Sequence, residues 1–492
     1  MMQTNISAVA LRCAAWIAVA ASILLALYGA DAGAATPCSS THGNGIPNSL
    51  LIRAIVLTPD RVIRAGEVLV DSNGRITCVG QSCTAQAHGA TILDCPAEIL
   101  SPGLINTHDH IDYTGIAPRP DTGERYQHRH EWRKGLDGHH ALEDFKPDRD
   151  PRVIAWGELR FLVGGATSTV GERMAPSLLR NLDFAAGLEG LPARPVTYRI
   201  FPLDDAAGIM RVHDCDYGHH PATHDEVAAS SAFLAHVSEG RDQAARNEFR
   251  CESSRTYDTT PLAGGGGIAN DWIMPQATLI HAVALTKQDL ELVAQRHAGI
   301  VWSPRSNLAL YGKTLDIIEA HRLGITLALG SDWLPSGSMN LNRELACAVH
   351  YNHAILHDVL SARDLWRMVT IDAASVVHDD ALIGSIAVGK VADLALFDAN
   401  GGDPYEAVVR ATPATVALVL RGGTILYGKP DIVDALRPGC GTLDVAGNAR
   451  RVCPEAGRPD IAALQSFATG RALYPVAFAD TPLNEPPCEL RG

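Results

Sequence analysis

The sequence predicts an α/β protein: a (β/α)8 TIM barrel carrying a small β-sandwich built from both ends of the chain. Three observations carry that expectation. Across the middle of the chain, short apolar runs alternate with helical stretches, the pattern of parallel strands joined by crossovers. Strand-rich segments with few helical stretches flank this region on both sides. The length of 492 residues suits one barrel of about 250 residues plus a smaller unit.

Residues 1–35 read as an address rather than a fold. One positive charge, Arg12, precedes the apolar run Cys13–Gly29, and overlapping Ala-x-Ala patterns end at Ala32 and Ala34. This is the layout of a cleaved secretory signal, so a periplasmic or secreted protein is expected. An uncleaved anchor is the other reading, because the run is near the lower limit for spanning a bilayer. No later run is long enough to span, so no stable membrane insertion is expected after cleavage. Residues 50–100 form short strands (LLIRAIVLT, GEVLVD, GRITCVG, ATILDC), separated by turn signals such as Ser72-Asn73-Gly74.

The barrel is expected over residues 101–383. Its strands read as GLINTHDH, ATSTVGE, PVTYRIFP, AFLAHVSE, ATLIHAV, GIVWSP and ITLALGSD, with an eighth near residue 180. Stretches such as LTKQDLELVAQRHAG and TLDIIEAHRLG are the crossover helices. Gly264–Gly267 is a flexible turn. Strands return over residues 384–430 (GKVADLALFD, ATVALVLRGG, TILYG) and complete the composite sandwich. Residues 431–492 hold three cysteines and several prolines and read as an irregular, disulfide-tied extension.

Composition narrows the function. Apolar residues make up 46% and charged residues 20%, an ordinary globular balance. A net charge of −14 argues against a nucleic-acid partner held by phosphate neutralisation. The 20 histidines make metal chemistry worth seeking. Of 11 cysteines, Cys13 falls in the signal, and an even remainder in an exported chain suggests disulfides. Proximity favours Cys78–Cys83, Cys215–Cys251 and Cys440–Cys453. Cys347, in an apolar helical stretch, is expected to be a buried thiol.

The chemistry collects where the strands end. GLINTHDH closes on His108 and His110, which point to one face because they are two apart. AFLAHVSE delivers His236 and Glu239, ATLIHAV delivers His281, and ITLALGSD delivers Asp332. Three imidazoles and one carboxylate from such a set suit Zn2+, with Fe2+ or Mn2+ as substitutes. Such an ion generates hydroxide from bound water at neutral pH.

At these residues the sequence resembles the metal-dependent amidohydrolase superfamily, in the mononuclear branch of cytosine and guanine deaminases and triazine hydrolases. The resemblance rests on SPGLINTHDH at 101–110, the His236-x-x-Glu239 unit, SPRSN at 303–307, GSD at 330–332 and GSIAVGKVADL at 384–394. It implies that His108, His110, His236 and Asp332 bind one metal ion. Glu239 would shuttle protons, His281 would polarise the substrate, and Asp332 would help orient the attacking water. Binuclear members usually bridge their ions with a modified lysine on the fourth strand; no lysine lies between Lys146 and Lys287, which favours one ion. The implied reaction is hydrolysis of a carbon–nitrogen bond in an amide, cyclic amide or amino-heterocycle by metal-activated water. A binuclear, peptidase-like amidohydrolase and a non-catalytic barrel that binds ligands are the competing readings.

Substrate contacts are expected from Trp132, Arg133, Glu172, Arg305, Asn307 and Trp333. Glu172 either touches substrate, helps a second ion, or pairs with a base such as Arg173. The long loop 111–150, with Tyr113, Arg125, Tyr126, His128, His130, Trp132 and Arg133, reads as a lid offering cationic groups to an acidic substrate, or as a solvated loop. His219, His220 and His224 read as a solvated cluster. The partner is a small molecule, and a homo-oligomer is possible.

Overall fold

The computed structural model describes residues 37–44, 49–142, 146–262, 267–399, 401–455 and 458–490. The signal expected at residues 1–35 and most of the turn at 264–267 lie outside these. Among the described residues no helix is long and apolar enough to cross a membrane.

Two kinds of sheet organise the chain. The first mixes strands from both of its ends. From the N-terminal side come β1 (Ser39–Thr41), β2 (Leu50–Leu57), β3 (Val62–Val70), β4 (Ile76–Gly80) and β5 (Thr91–Pro102). The parallel core follows, with β6 (Leu104–Asn106), β7 (Ala166–Thr169), β8 (Arg180–Asn181), β9 (Thr197–Arg199), β10 (Phe233–Val237), β11 (Ala277–His281), β12 (Gly299–Trp302) and β13 (Leu327–Leu329). The chain then returns to the first sheet as β14 (Leu394–Asp398), β15 (Val416–Arg421), β16 (Thr424–Gly428), β17 (Gly441–Val445) and β18 (Asn448–Val452).

The mixed sheet has ten strands in the order β17-β18-β16-β15-β14-β5-β2-β3-β4, with β1 on β5. Its seam is the antiparallel pair β14–β5, where Leu394 faces Pro102. The tail is irregular only in part: residues 471–490 hold no helix or strand and are tied by Cys347–Cys488, but the segment before them is regular. Helix Pro430–Leu436 and hairpin β17–β18 extend the sheet, and helix Ile461–Gly470 follows. One residue, Gly103, separates β5 from β6. A Cβ there would sit 2.3 Å from the Thr167 side chain, so only glycine passes this junction.

The parallel strands form a three-stranded sheet, β6-β7-β8, and a five-stranded sheet, β13-β12-β11-β10-β9. Hydrogen bonds join them at both sides: Asp332 N–H donates to His108 O at 3.1 Å, and Val196 N–H donates to Leu182 O at 2.8 Å. Helices separate many of the strands, as the sequence predicts; Pro151–Leu162, capped by Asp150, and Lys287–Gln295 are two of them. Alternate residues face opposite ways. Ile105, Leu234, Ile280, Val301 and Ala328 share one buried cluster, while Phe233, Ala235, Leu279, Ile300 and Leu327 belong to another. His236 continues the row of Leu234, which fixes the side on which its ring emerges.

Among the described residues five disulfides form. Cys78–Cys83, Cys215–Cys251 and Cys440–Cys453 are as expected. Cys38–Cys95 is additional. Cys347 is buried but not a thiol: the folded tail brings Cys488 to it from 141 positions away.

Candidate active site

The parallel strands release their chain ends onto one cavity of about 240 Å3. His108, His110, His236, Glu239, His281 and Asp332 gather at its floor, although they span more than two hundred positions of sequence. The rings of His108 and His236 lie 4.8 Å apart between centroids, and those of His108 and His281 lie 5.1 Å apart. Three overlapping groups have ligand atoms within 4.8 Å of one another: His108–His110–His236, His108–His281–Asp332 and His236–Glu239–His281.

Backbone geometry at the strand ends aims these groups. Glu172, Ser238, His281 and Asp332 all adopt left-handed φ, at 63°, 54°, 72° and 56°. Such conformations cost roughly 1–3 kcal/mol each in non-glycine residues and cluster where function over-determines the backbone.

The outward atoms of three of the four imidazoles are engaged by the protein, while His236 Nδ1 is buried without a hydrogen-bond partner. His108 Nδ1 lies 2.8 Å from the Tyr198 hydroxyl, and His110 Nδ1 lies 3.2 Å from Glu172 Oε2. His281 Nδ1 lies 2.9 Å from Asn307 Oδ1. A Nδ1–H donated to a carboxylate or amide oxygen leaves Nε2 as a lone pair facing inward, the tautomer that suits a metal ligand. His110 Nε2 and His236 Nε2 then meet at 3.3 Å, and His108 Nε2 is buried without a hydrogen-bond partner although Asp332 Oδ1 is 3.2 Å away. Converging imidazole nitrogens beside a buried carboxylate are the donor set a borderline-soft divalent cation needs. These residues fit such an ion.

Electrostatics divide the set: His108 is held neutral, whereas the Glu172 contact favours the protonated form of His110, which would have to release that proton to a metal ion. Burial opposes charge on His108 and holds it down at about 4. Burial opposes the charged form of His110 too, but its contact with Glu172 prevails and raises it to about 9. The facing imidazoles hold Asp332 well below the usual carboxylate range despite its burial.

One helix, Pro304–Tyr311, positions three floor groups. Ser306 Oγ donates to Asp332 Oδ2, Asn307 receives His281, and the Tyr311 hydroxyl donates to Glu239 Oε1 at 2.7 Å. Trp132 Nε1–H in turn donates to the Tyr311 oxygen at 2.8 Å. The Trp333 amide adds a bond to Asp332 Oδ1 at 2.6 Å. The sequence does not assign roles to Ser306, Tyr311 or Tyr198; Ser306 falls in the SPRSN segment, and the i, i+4 spacing of Asn307 and Tyr311 groups those two on one helix face.

Trp132, Arg133, Glu172 and Trp333 line the cavity. Arg305 does not. Its guanidinium is buried on the other side of the helix, bonded to Ser338 Oγ at 2.6 Å and to the carbonyls of Arg343 and Pro486. Asn307 reaches His281 rather than the cavity. Glu172 pairs with His110; Arg173 instead lies 3.8 Å from Asp112. The described residues of the 111–150 segment are part wall and part surface: helix Arg129–Lys134 interrupts it, and His128 and His130 are buried against Glu248 and Asp205. His219 and His220 are exposed and form no metal-binding group among the described residues.

Comparison with known proteins places this arrangement. The sequence pattern described as "Amidohydrolase family" matches residues 221–426. A putative aminohydrolase of Methanothermobacter thermautotrophicus is 30% identical over 396 residues, covering 77% of this chain and 97% of that protein. A 5-methylthioadenosine/S-adenosylhomocysteine deaminase of Nitratidesulfovibrio vulgaris is 26% identical over 77% of this chain and 92% of its own length. Among solved structures, zinc-bound atrazine chlorohydrolase from Arthrobacter aurescens superposes with a TM-score of 0.58 at 18% identity, over 86% of this chain and 99% of that one. A zinc-bound adenosine deaminase from Xanthomonas campestris gives 0.54 at 19% identity, over 86% and 97%. The chain belongs to the amidohydrolase family: it is a metal-dependent hydrolase of carbon–nitrogen bonds in small molecules.

Proposed function

We propose that this protein is an exported, mononuclear zinc hydrolase that cuts a carbon–nitrogen bond in an amide, cyclic amide or amino-heterocycle. The observation that carries it is the convergence of His108, His110, His236 and Asp332 with Glu239 and His281 on the floor of one cavity. In this reading the first four residues hold the ion. An ion so held supplies Lewis acidity and lowers the pKa of a contacting water toward neutrality.

The chain's own groups do the rest. Glu239, kept in place by Tyr311, takes the proton of the attacking water at Oε2 and returns it to the leaving nitrogen. Its Oε2 lies 3.8 Å from His281 Nε2, so both face the same reacting atoms. His281, oriented by Asn307, offers Nε2 to the substrate heteroatom on which charge grows. Asp332, fixed by Ser306 and Trp333 N–H, orients the water. The aromatic wall of Trp132 and Trp333, ring centroids 4.9 Å apart, restricts solvent. A single ion is favoured because Glu172 is engaged by His110 and no lysine is available to bridge two. The relatives named as deaminases favour ammonia from an amino-substituted ring.

The same proposal extends to architecture and compartment. The five and three parallel strands make one (β/α)8 barrel, closed through the Asp332–His108 and Val196–Leu182 bonds, with the mixed sheet as its β-sandwich. The signal-like residues 1–35 and the five disulfides support a periplasmic or secreted location. Metal analysis followed by a panel of amides and amino-heterocycles, scored for ammonia against amine, tests the reading. One zinc per chain with turnover is expected; a metal-loaded protein inert across the panel would overturn it.

A further inference from the structure

The floor of the cavity is histidine-rich, but its mouth is cationic. Four arginines line it: Arg129, Arg133, Arg149 and Arg173. Arg129 is neutralised within the fold, 2.7 Å from Asp205 and 3.6 Å from Glu248. The other three are compensated only in part, and the one further carboxylate near Arg173 among the lining residues, Glu172, is shared with His110. Arg149 and Arg173 share one carboxylate, Asp112, approached by their Nε atoms at 3.7 and 3.8 Å, beyond hydrogen-bond length. The buried Nε of Arg173 has no hydrogen-bond partner.

Arg133 has no carboxylate within ion-pair distance among the described residues. Its Nη1 donates to His130 Nδ1 at 2.8 Å and its Nη2 to Ala206 O at 3.3 Å, and its guanidinium stacks over Phe201 at 4.2 Å. Burial and the neighbouring Arg129 make its charge harder to hold than that of an ordinary arginine.

The rest of the molecule does not explain this excess. The chain carries a net charge of −14, so a cluster of under-compensated cations is the reverse of its background. In a cleft, such a cluster concentrates anions from solution. A guanidinium presents a planar fork that matches a carboxylate, and donors left unpaired in a partly dry site gain most from such a partner. Between mouth and floor stand flat walls: Trp132 against Trp333, and Tyr113 edge-on to Trp333 at 5.4 Å. The cavity is also smaller than the roughly 300–1,000 Å3 of sites for drug-sized ligands.

We propose that the substrate is a small, flat molecule carrying a carboxylate at the end remote from the scissile bond, received by Arg133, Arg149 and Arg173. This rests on the reading of the same cavity as a hydrolytic site, and it names the substrate class for that site.

The test uses the zinc-loaded, full-length mature protein and two matched probe pairs. Benzoate and benzamide are compared by titration calorimetry, which needs no turnover. 4-Acetamidobenzoate and acetanilide are compared as substrates. The parent protein is expected to prefer the charged member of each pair. Arg133→Gln is expected to cut the benzoate-to-benzamide affinity ratio roughly ten- to hundredfold, the worth of a charged hydrogen bond. Arg149→Gln cuts it several-fold; this side chain is mostly exposed, so folding is not at issue. Benzoate held by the metal alone would ignore both substitutions and overturn the proposal, as would a parent with no preference for the anion. Arginine-dependent benzoate binding in a protein inert to every carbon–nitrogen substrate would uphold the anion site and overturn the hydrolytic reading. Hydrolysis of neutral probes with no anion preference would do the opposite.

Discussion

The floor and the mouth of this cavity are built on opposite terms. On the floor, protein groups hold the functional side chains before any substrate arrives: Tyr198 holds His108, Glu172 holds His110, Asn307 holds His281, Ser306 holds Asp332 and Tyr311 holds Glu239. At the mouth, Arg149 and Arg173 share the distant carboxylate of Asp112, and Arg133 has none within ion-pair distance among the described residues. A committed set fixes geometry in advance, which is what charge stabilisation in a transition state requires. A set with spare donors is completed only by a ligand and therefore selects among ligands.

The comparison breaks hardest on the floor. His236→Ala or Asp332→Asn is expected to abolish zinc retention and hydrolysis together, read by metal analysis alongside ammonia release. Exhaustive chelation should reproduce that loss, and added Zn2+ should reverse it. Full activity after chelation would remove the metal from the account. Next in size, Glu239→Gln should keep its zinc and lose roughly a hundred- to ten-thousandfold in turnover, the usual worth of a positioned acid–base group. A near-normal rate would assign the proton transfer elsewhere. Tyr311→Phe sharpens the contrast: kcat falls about tenfold with KM nearly unchanged, because one hydrogen bond to the Glu239 carboxylate is lost and no substrate contact is. The smallest effect is expected from His219→Ala together with His220→Ala, exposed and outside the cavity. Stability should stay within about 0.5 kcal/mol in a denaturant titration, and activity within twofold.

The same contrast explains what could be read in advance. The floor was legible because its residues are rare types in short patterns at strand ends, where side-chain direction follows from a period of two. Their supports were not. Ser306 lies inside the SPRSN segment, but neither it nor Tyr311 nor Tyr198 is marked as a support, because their partners lie 26, 72 and 90 positions away. Arg305 and Asn307 were both expected at the cavity, but residues two apart on a helix point in nearly opposite directions. Asn307 took the inner side and Arg305 the outer. Cysteine pairing divides similarly. Bridges with separations of 5, 13 and 36 were readable, while those of 57 and 141 needed the fold. In the tail, the stretch 471–490 with most of the prolines is irregular as they suggested, while the proline-free stretch 441–452 forms a hairpin on the edge of the large sheet.

The bond between Arg305 and the carbonyl of Pro486 makes the far end of the chain part of the support for the cavity floor. The helix that holds Asp332, His281 and Glu239 ends at Tyr311, yet the outward cation on that helix finds its acceptor and its counter-charge, Glu485, only near residue 486. In a chain cut upstream of Glu485, Arg305 would lose that acceptor and that counter-charge, and the helix beneath Asp332, His281 and Glu239 would lose contacts that brace its outer side. The Cys347–Cys488 bridge ties the same tail to the scaffold, so residues more than 150 positions from Asp332 underpin the floor of the cavity.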